Sequence, residues 1–305
     1  MPSKTGLSGR LADTDIRLLH IFKAVVECGG FTAAEVDLNI SRAAISMAIA
    51  DLEQRLSLRL CSRGRGGFSL TDQGNEVYRA VLQLLSALED FKTQVNSIHA
   101  QLKGELNIGI TDNLVTMPRM KVTRALSALK KEGPEVRINI KMSHPADIEI
   151  GVLDGHIHLG VVPVLKPLAG LDYIGLYEEE SHLYCSHDHP LFSANSSDIT
   201  DQTIALYDAV VPAYAQPVSI RAKMKNLQDS ATASDREGIA FLILTGQYIG
   251  YLPTHFAERW ISQGLMRALL TKKYSYRTPF AAITRKAARP NRVLDSYLKH
   301  LKKTA

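Results

Sequence analysis

The sequence predicts an α plus α/β chain in three parts: an N-terminal winged helix-turn-helix, a long coiled-coil linker helix and a C-terminal two-lobed α/β domain. Three observations carry this. Two short helical stretches near the start are separated by a tight turn and followed by a glycine-rich turn. Eight apolar residues then recur at strict steps of four and three. The last two hundred residues alternate strand-like and helix-like patterns.

Thr14 to Cys28 carries Ile16, Leu19, Phe22 and Val26 on one helical face, and Gly29-Gly30 stops it. Thr32 is a candidate N-cap for a short helix through Leu38. Asn39 bends the chain, and Ser41 caps a third helix from Arg42 to about Leu56. Ile45, Ile49, Leu52 and Leu56 form its inward stripe, which leaves Arg42, Ala43, Ser46, Met47 and Ala50 outside. Such a helix enters a major groove closely: Arg42 and Ser46 suit base edges, and Ala43 and Met47 suit thymine methyls. Arg63-Gly64-Arg65-Gly66-Gly67 before a short strand has the form of a wing whose arginines meet phosphates. Residues 41–70 carry a net charge of +3. From periodicity alone, a plain three-helix bundle with a solvated arginine turn is the rival reading.

From Val77 the seam runs Val81, Leu84, Leu88, Phe91, Val95, Ile98 and Leu102. That 3.5-residue period specifies a coiled coil, and the stretch from Asn75 to Lys103, free of Gly and Pro, allows a helix of about 40 Å. A charge at Leu88 is expected to abolish dimerisation. Gly104 ends the helix.

Beyond it, Leu106, Ile108 and Ile110 alternate as a strand. Pro118 opens a helix closed by Gly133-Pro134, and Val136 to Met142 alternates again. Pro145 to Leu153 is a helix and His158 to Val162 a buried strand, so a parallel sheet follows. Leu171 to Tyr177 and His182 to Ser186 are two strands crossing to a second lobe. Thr203 to Val211 is a further strand, and Ser234-Asp235-Arg236-Glu237 is a capping box opening a helix to Gly246. Tyr248 to Leu252 is a strand, Pro279 to Thr284 returns to the first lobe, and Asn291 to Lys302 is the last helix. The expected divisions are a flexible tail over 1–13, a winged domain over 14–72, a linker over 73–103 and the two-lobed domain over 104–305. Its first lobe takes about 104–174 and 273–305, and its second about 175–272.

Open α/β sheets bind ligands beyond the carboxyl ends of their strands. Thr111, Asp112 and Asn113 follow the first strand, and the candidate contacts at such ends are Thr111, Asn113, Ser143, His144 and Pro163 in the first lobe and Pro212 and Tyr214 in the second. Their hydroxyl, amide and imidazole groups suit a small polar or carboxylate ligand. The loop reading, in which each merely satisfies nearby backbone, stands beside this one.

The run Phe31-Thr32-Ala33-Ala34, Leu38-Asn39-Ile40-Ser41, Ala44-Ile45-Ser46, Leu52-Glu53, Arg59-Leu60-Cys61-Ser62-Arg63 and Leu70-Thr71-Asp72-Gln73-Gly74 resembles the DNA-binding pattern of LysR-type transcriptional regulators. Leu153 to Gly160 and Thr245 to Pro253 resemble landmarks of that family's effector domain, which is similar to periplasmic solute-binding proteins. The resemblance covers essentially the whole chain. It implies a homo-oligomer, a dimer or dimer of dimers, bound to double-stranded promoter DNA and answering a small-molecule effector in the cleft, with RNA polymerase as a further partner. Glu35, Met47, Ala50 and Cys61 depart from the usual pattern, which implies fewer charged contacts from the third helix.

Other chemistry finds less support. The three cysteines, Cys28, Cys61 and Cys185, are far apart in sequence and are read as buried small hydrophobes, as in a reducing compartment. His187-Asp188-His189-Pro190 is read as a solvated loop, and no cysteine or carboxylate is spaced to complete a metal site with the histidines. Neither a metal nor a cofactor nor catalysis is expected. A polar start without a signal-peptide run and the lack of a long apolar stretch imply a cytoplasmic protein with no membrane partner. The rival functions are a cytoplasmic small-molecule-binding protein and an α/β enzyme with an accessory helical domain.

Overall fold

The computed structural model describes residues 11–64, 67–98, 102–118, 120–214, 216–288 and 290–303. The chain forms two compact units, Met1–Phe91 and Lys92–Ala305.

In the first unit, α1 (Asp13–Glu27), α2 (Phe31–Leu38) and α3 (Arg42–Leu56) precede a hairpin of β1 (Cys61–Gly64) and β2 (Gly67–Leu70). Gly29 and Gly30 both have positive φ, as expected for a glycine stop after α1. Thr32 is not the N-cap of α2: the helix begins at Phe31 and Gly30 holds the cap position, because its backbone already turns there. Asn39 is left-handed, which makes the tight turn into α3, and the Ser41 hydroxyl accepts from the Ala44 N–H at 3.2 Å. Leu18, Phe22, Val25, Ile45, Ile49, Leu52 and Leu60 form the buried core, with Leu56 half-buried beside them.

Helix α4 (Asp72–Ile98) is 27 residues long, one continuous element as the heptad predicts. Within the chain, the first part of its seam packs inward. Val81 and Leu85 are buried and Val77, Leu84 and Leu88 half-buried against the core of their own winged unit. Phe91 is 63 % exposed and Val95 40 % exposed. Leu102 lies beyond α4 and packs into the core of the second unit instead. Hydrophobic residues at a coiled-coil period satisfy intramolecular packing equally well where a neighbouring core is close.

The second unit is built on β3 (Gly104–Ile110), α5 (Lys121–Glu132), β4 (Val136–Met142), α6 (Pro145–Asp154), β5 (Leu159–Pro163), β6 (Leu171–Ser186), α7 (Asp201–Ile204), β7 (Asp208–Pro212), α8 (Val218–Met224) and β8 (Gln228–Ala233). It continues through α9 (Arg236–Leu244), β9 (Ile249–Pro253), α10 (Thr254–Ile261), β10 (Met266–Leu269), β11 (Ser275–Arg285) and α11 (Arg292–Lys303). The nine-stranded sheet runs β4-β3-β5-β11-β6-β9-β7-β8, with β10 beside β6. β3 is parallel to both β4 and β5, and β7 is parallel to both β8 and β9, so each half repeats the same parallel motif. One core gathers Leu106, Ile108, Leu129, Leu159, Val161 and Tyr297, and the other half buries Leu183, Ile204, Ile249, Ile239 and Leu252.

Several elements differ from the sequence reading. The two expected crossing strands are one, Leu171–Ser186, because the polar run Glu178 to Ser181 pairs with Pro279 to Tyr276 of β11. β11 starts at Ser275, ahead of Pro279, and its register shifts at Phe280/Ala281. Residues 203–211 are not one strand: the Thr200 hydroxyl accepts from the Thr203 N–H and winds Asp201–Ile204 into a helix before β7. α5 begins at Lys121, three residues after Pro118. The cap of α9 is Asp235, accepting from the Gly238 N–H at 2.7 Å, and not Ser234, whose hydroxyl donates to Asp235. The His-Pro loop is only partly solvated: His187 is exposed, but His189 is buried against the Tyr207 ring.

Candidate functional site

Helix α3 buries Ile45, Ala48, Ile49 and Leu52 and leaves Ser41, Arg42, Ala43 and Ala50 exposed, with Met47 71 % exposed and Ser46 half-buried. Thr32 is exposed in the first turn of α2. The face offered is therefore small and polar, with one guanidinium at its start. In the hairpin, the Arg63 backbone pairs with Phe68; the Arg63 side chain and all of Arg65 lie outside the described residues. Arg55, part of the local basic excess, bonds Asp51 at 2.8 Å and Asp15 at 2.9 Å, so its charge is engaged within the unit.

Three motif residues hold the wing in place. Glu53 Oε1 accepts from the N–H groups of Leu60 at 2.7 Å and Cys61 at 3.1 Å. The Thr71 hydroxyl donates to the Arg59 carbonyl at 2.6 Å and accepts from the Gly74 N–H at 2.9 Å. A Cβ at Gly74 would overlap the Leu60 carbonyl, so the first turn of α4 approaches the hairpin as only glycine allows.

In the second unit a cavity of about 490 Å³ opens between the two halves of the sheet. Six of the seven residues expected there line it: Thr111, Asn113, Ser143, His144, Pro163 and Tyr214. Pro212 does not; it ends β7, and the chain turns inward two residues later, at Tyr214. Thr111 is buried with its N–H and hydroxyl both directed at the Val161 carbonyl. The His144 and Tyr214 rings meet edge to face at 4.9 Å from opposite walls.

Of the charged part of the cavity, the sequence placed only Asp112 at a strand end and gave it no role; Glu179, Arg236 and Arg259 were not foreseen, and all four line the cavity. Burial works against the charge of Arg236, but Tyr214, Tyr276, Glu179 and Asp112 around it hold the guanidinium above its ordinary range. Its NH1 donates to the Tyr214 hydroxyl, and its backbone N–H donates to Asp112 Oδ2 at 2.7 Å. The Tyr214 hydroxyl is pushed up by burial, which Arg236 opposes. Glu179 is only 2 % exposed and accepts from His255 Nε2 at 3.1 Å, while His255 Nδ1 lies 2.6 Å from Thr116 Oγ1. Arg259 stacks on Phe256 and Trp260. Arg236 stood inside the run read as a capping box, so its position was visible and its role was not. Glu179, in a run of three glutamates, gave no signal of burial.

Among the described residues no three His, Cys, Asp or Glu side chains are grouped to hold a metal ion, and no helix is long and apolar enough to cross a membrane. Cys61 and Cys185 are buried, and burial pushes the Cys185 thiol up to about 12, which opposes the reactive thiolate.

A winged helix-turn-helix joined by a long helix to a two-lobed domain with a polar cleft defines a class: a transcriptional regulator with a DNA-binding and an effector-binding part. Residues 16–75 match the model of the bacterial regulatory helix-turn-helix protein, lysR family, and residues 99–305 match that of the LysR substrate binding domain. The chain belongs to the LysR family of transcriptional regulators. The HTH-type transcriptional activator BauR of Pseudomonas aeruginosa is 55% identical over 290 residues, 95% of each chain. The nitrogen assimilation regulatory protein nac of Klebsiella aerogenes is 25% identical over 214 residues, 68% of each chain. Among solved structures, full-length CbnR complexed with its target DNA superposes with a TM-score of 0.66 at 17% identity, covering 95% of this chain and 99% of that one. The Vibrio cholerae virulence activator AphB gives 0.55 at 16% identity over 94% and 98%. At these identities the structures establish a shared fold.

Proposed function

We propose that this regulator binds promoter DNA as a dimer or dimer of dimers, with α3 in the major groove, and activates transcription in response to a small polar metabolite held in the cleft. Arg42 and Ser46 read base edges, Ala43 and Met47 meet thymine methyls, and Thr32, Ser41, Arg63 and Arg65 contact phosphates. Activation follows the likeness to BauR, a transcriptional activator. The protein works in the cytoplasm with RNA polymerase as a partner and catalyses no reaction. Exposed Phe91 and Val95 on α4 are where a second copy packs. The division into tail, winged domain, linker and two lobes is proposed at the boundaries given above.

The observation that carries the DNA reading is the capped α3 with a buried apolar stripe and an exposed face of small and polar residues. Footprinting on the DNA upstream of the protein's own gene, at two salt concentrations, tests it. An interrupted palindrome is expected to be protected. In a dimer, Arg63 and Arg65 of both copies neutralise about four phosphates, which predicts a fall in affinity of roughly a hundredfold between about 50 and 200 mM salt. No protection and no salt-sensitive affinity for any duplex would sink the reading.

A further inference from the structure

We propose that the segment from Asp112 to Thr116, directly after β3, is a clasp that holds the two halves of the cleft together, and that the effector acts by competing with it. This rests on the cleft being the effector site. One short stretch of the first half reaches two separate helices of the second. Asp112 Oδ2 accepts from the N–H of Arg236, the first residue of α9, at 2.7 Å. Thr116 Oγ1 lies 2.6 Å from Nδ1 of His255, the second residue of α10, whose other nitrogen is held by buried Glu179.

The stretch is braced so that these two contacts are held by the fold. Asn113 adopts the left-handed region at φ 57°, its amide donates to Asp112 Oδ2 at 3.4 Å, and its carbonyl accepts from the Thr116 hydroxyl at 2.9 Å. Leu114 packs against the core beneath β3 and anchors the segment to the first half. The carboxylate of Asp112 sits where a helix start attracts an anion, so the protein fills that position with a group of its own.

Asp112 and Arg236 also line the cavity, so a ligand there meets the clasp directly. A ligand shifts a two-state balance only through unequal affinity for the two arrangements. The clasp supplies that inequality: a ligand taking over the Arg236 N–H or the Asp112 carboxylate removes a contact specific to the clasped arrangement. Asp112, Thr116 and His255 are thus positioning residues for the response.

The test uses the full chain as Asp112→Ala, Asp112→Asn, Thr116→Val and the double variant Asp112→Ala/Thr116→Val. Hydrogen exchange by mass spectrometry is read beside footprinting without added small molecule. Losing one charge-assisted hydrogen bond is expected to speed exchange of the Arg236 amide about tenfold in Asp112→Ala. Asp112→Asn, which keeps an acceptor, should restore most of the protection. Core peptides over β5 should stay as in the wild type, and the double variant should shift the boundaries of the unliganded footprint. Unchanged exchange at Arg236 overturns the clasp. So does faster exchange with an unchanged footprint, because the contact would then be local. If even the wild type protects no promoter DNA, the proposed function fails, and the exchange data alone decide whether the clasp exists.

Discussion

Arg42, Ser46 and Arg63 divide the labour on DNA in the proposed complex. Arg42 and Ser46 stand at the start of α3, whereas Arg63 belongs to the hairpin strand. Arg63→Ala is expected to weaken binding to all sequences about equally and, in a dimer, to lower the salt slope by about two, one for each copy. Arg42→Ala should instead cost about 1–3 kcal/mol on preferred sites and relax the sequence preference, as read by affinity across a panel of mutated operators. A change of preference in Arg63→Ala with overall affinity intact would contradict this division. Gly74 is a structural counterpart on the same unit. A methyl group there meets the Leu60 carbonyl, which is backbone and cannot rotate away. Gly74→Ala is expected to destabilise the winged unit by about 1–3 kcal/mol, seen as a lower melting temperature. His189 gives a pH signature. Burial holds its imidazole below the ordinary value of 6.5, so the unfolded chain takes up the proton first as the solution is acidified. Its contribution is complete above that value and is lost as pH falls through it toward the depressed folded value. Gln at this position keeps an acceptor for the Leu191 N–H and does not titrate. The fall in melting temperature between about pH 7 and pH 5 should therefore be shallower in His189→Gln.

At the scale of elements, α4 is the proposed surface of self-association. Its seam looks uniform in sequence, but the first half is occupied by the winged core: Val81 and Leu85 are buried there, and Leu88 packs against the same cluster. A charge at Leu88 would thus disturb the unit's own packing as well as an interface. Phe91 is free of that ambiguity, being 63 % exposed on the same helix. Phe91→Glu is expected to lower the mass in solution, measured by sedimentation, while leaving the unfolding free energy of the winged unit within about 0.5 kcal/mol of the parent, as for most surface changes. An unchanged mass would remove α4 as the self-association surface.

For the whole molecule, the effector unit works because two strands are shared. β6 pairs with β11 from Leu171 to His182 and at its end with β9 and β10, while β11 pairs with β5. The two halves are therefore one sheet with two cores, and their relative angle is set by few contacts across the cleft: His144 on Tyr214, Asp112 on Arg236 and Thr116 on His255. A small ligand is able to alter that angle because it competes with single hydrogen bonds, each worth about 1 kcal/mol net, and leaves the cores intact.

The sequence by itself determined what depends on neighbours a few residues apart. Helical periodicity located α1, α3 and α4, Ser41 and Asn39 showed the turn between the short helices, and strand alternation located β3 and β4. Six of the seven residues that the sequence placed at the cleft do line the cavity, because strand ends follow from the strands themselves. What only the tertiary structure decided depends on pairing across long separations. Glu178 to Ser181 has no strand signal of its own and becomes strand because β11 lies beside it. Glu179 is buried in the same way, and Arg236 and Asp112 become a contact only when residues 124 positions apart are brought to one cleft. Apolar spacing states that a face will be covered; which surface covers it, as with Leu88 and Leu102, is settled by whichever core the folded chain brings nearest.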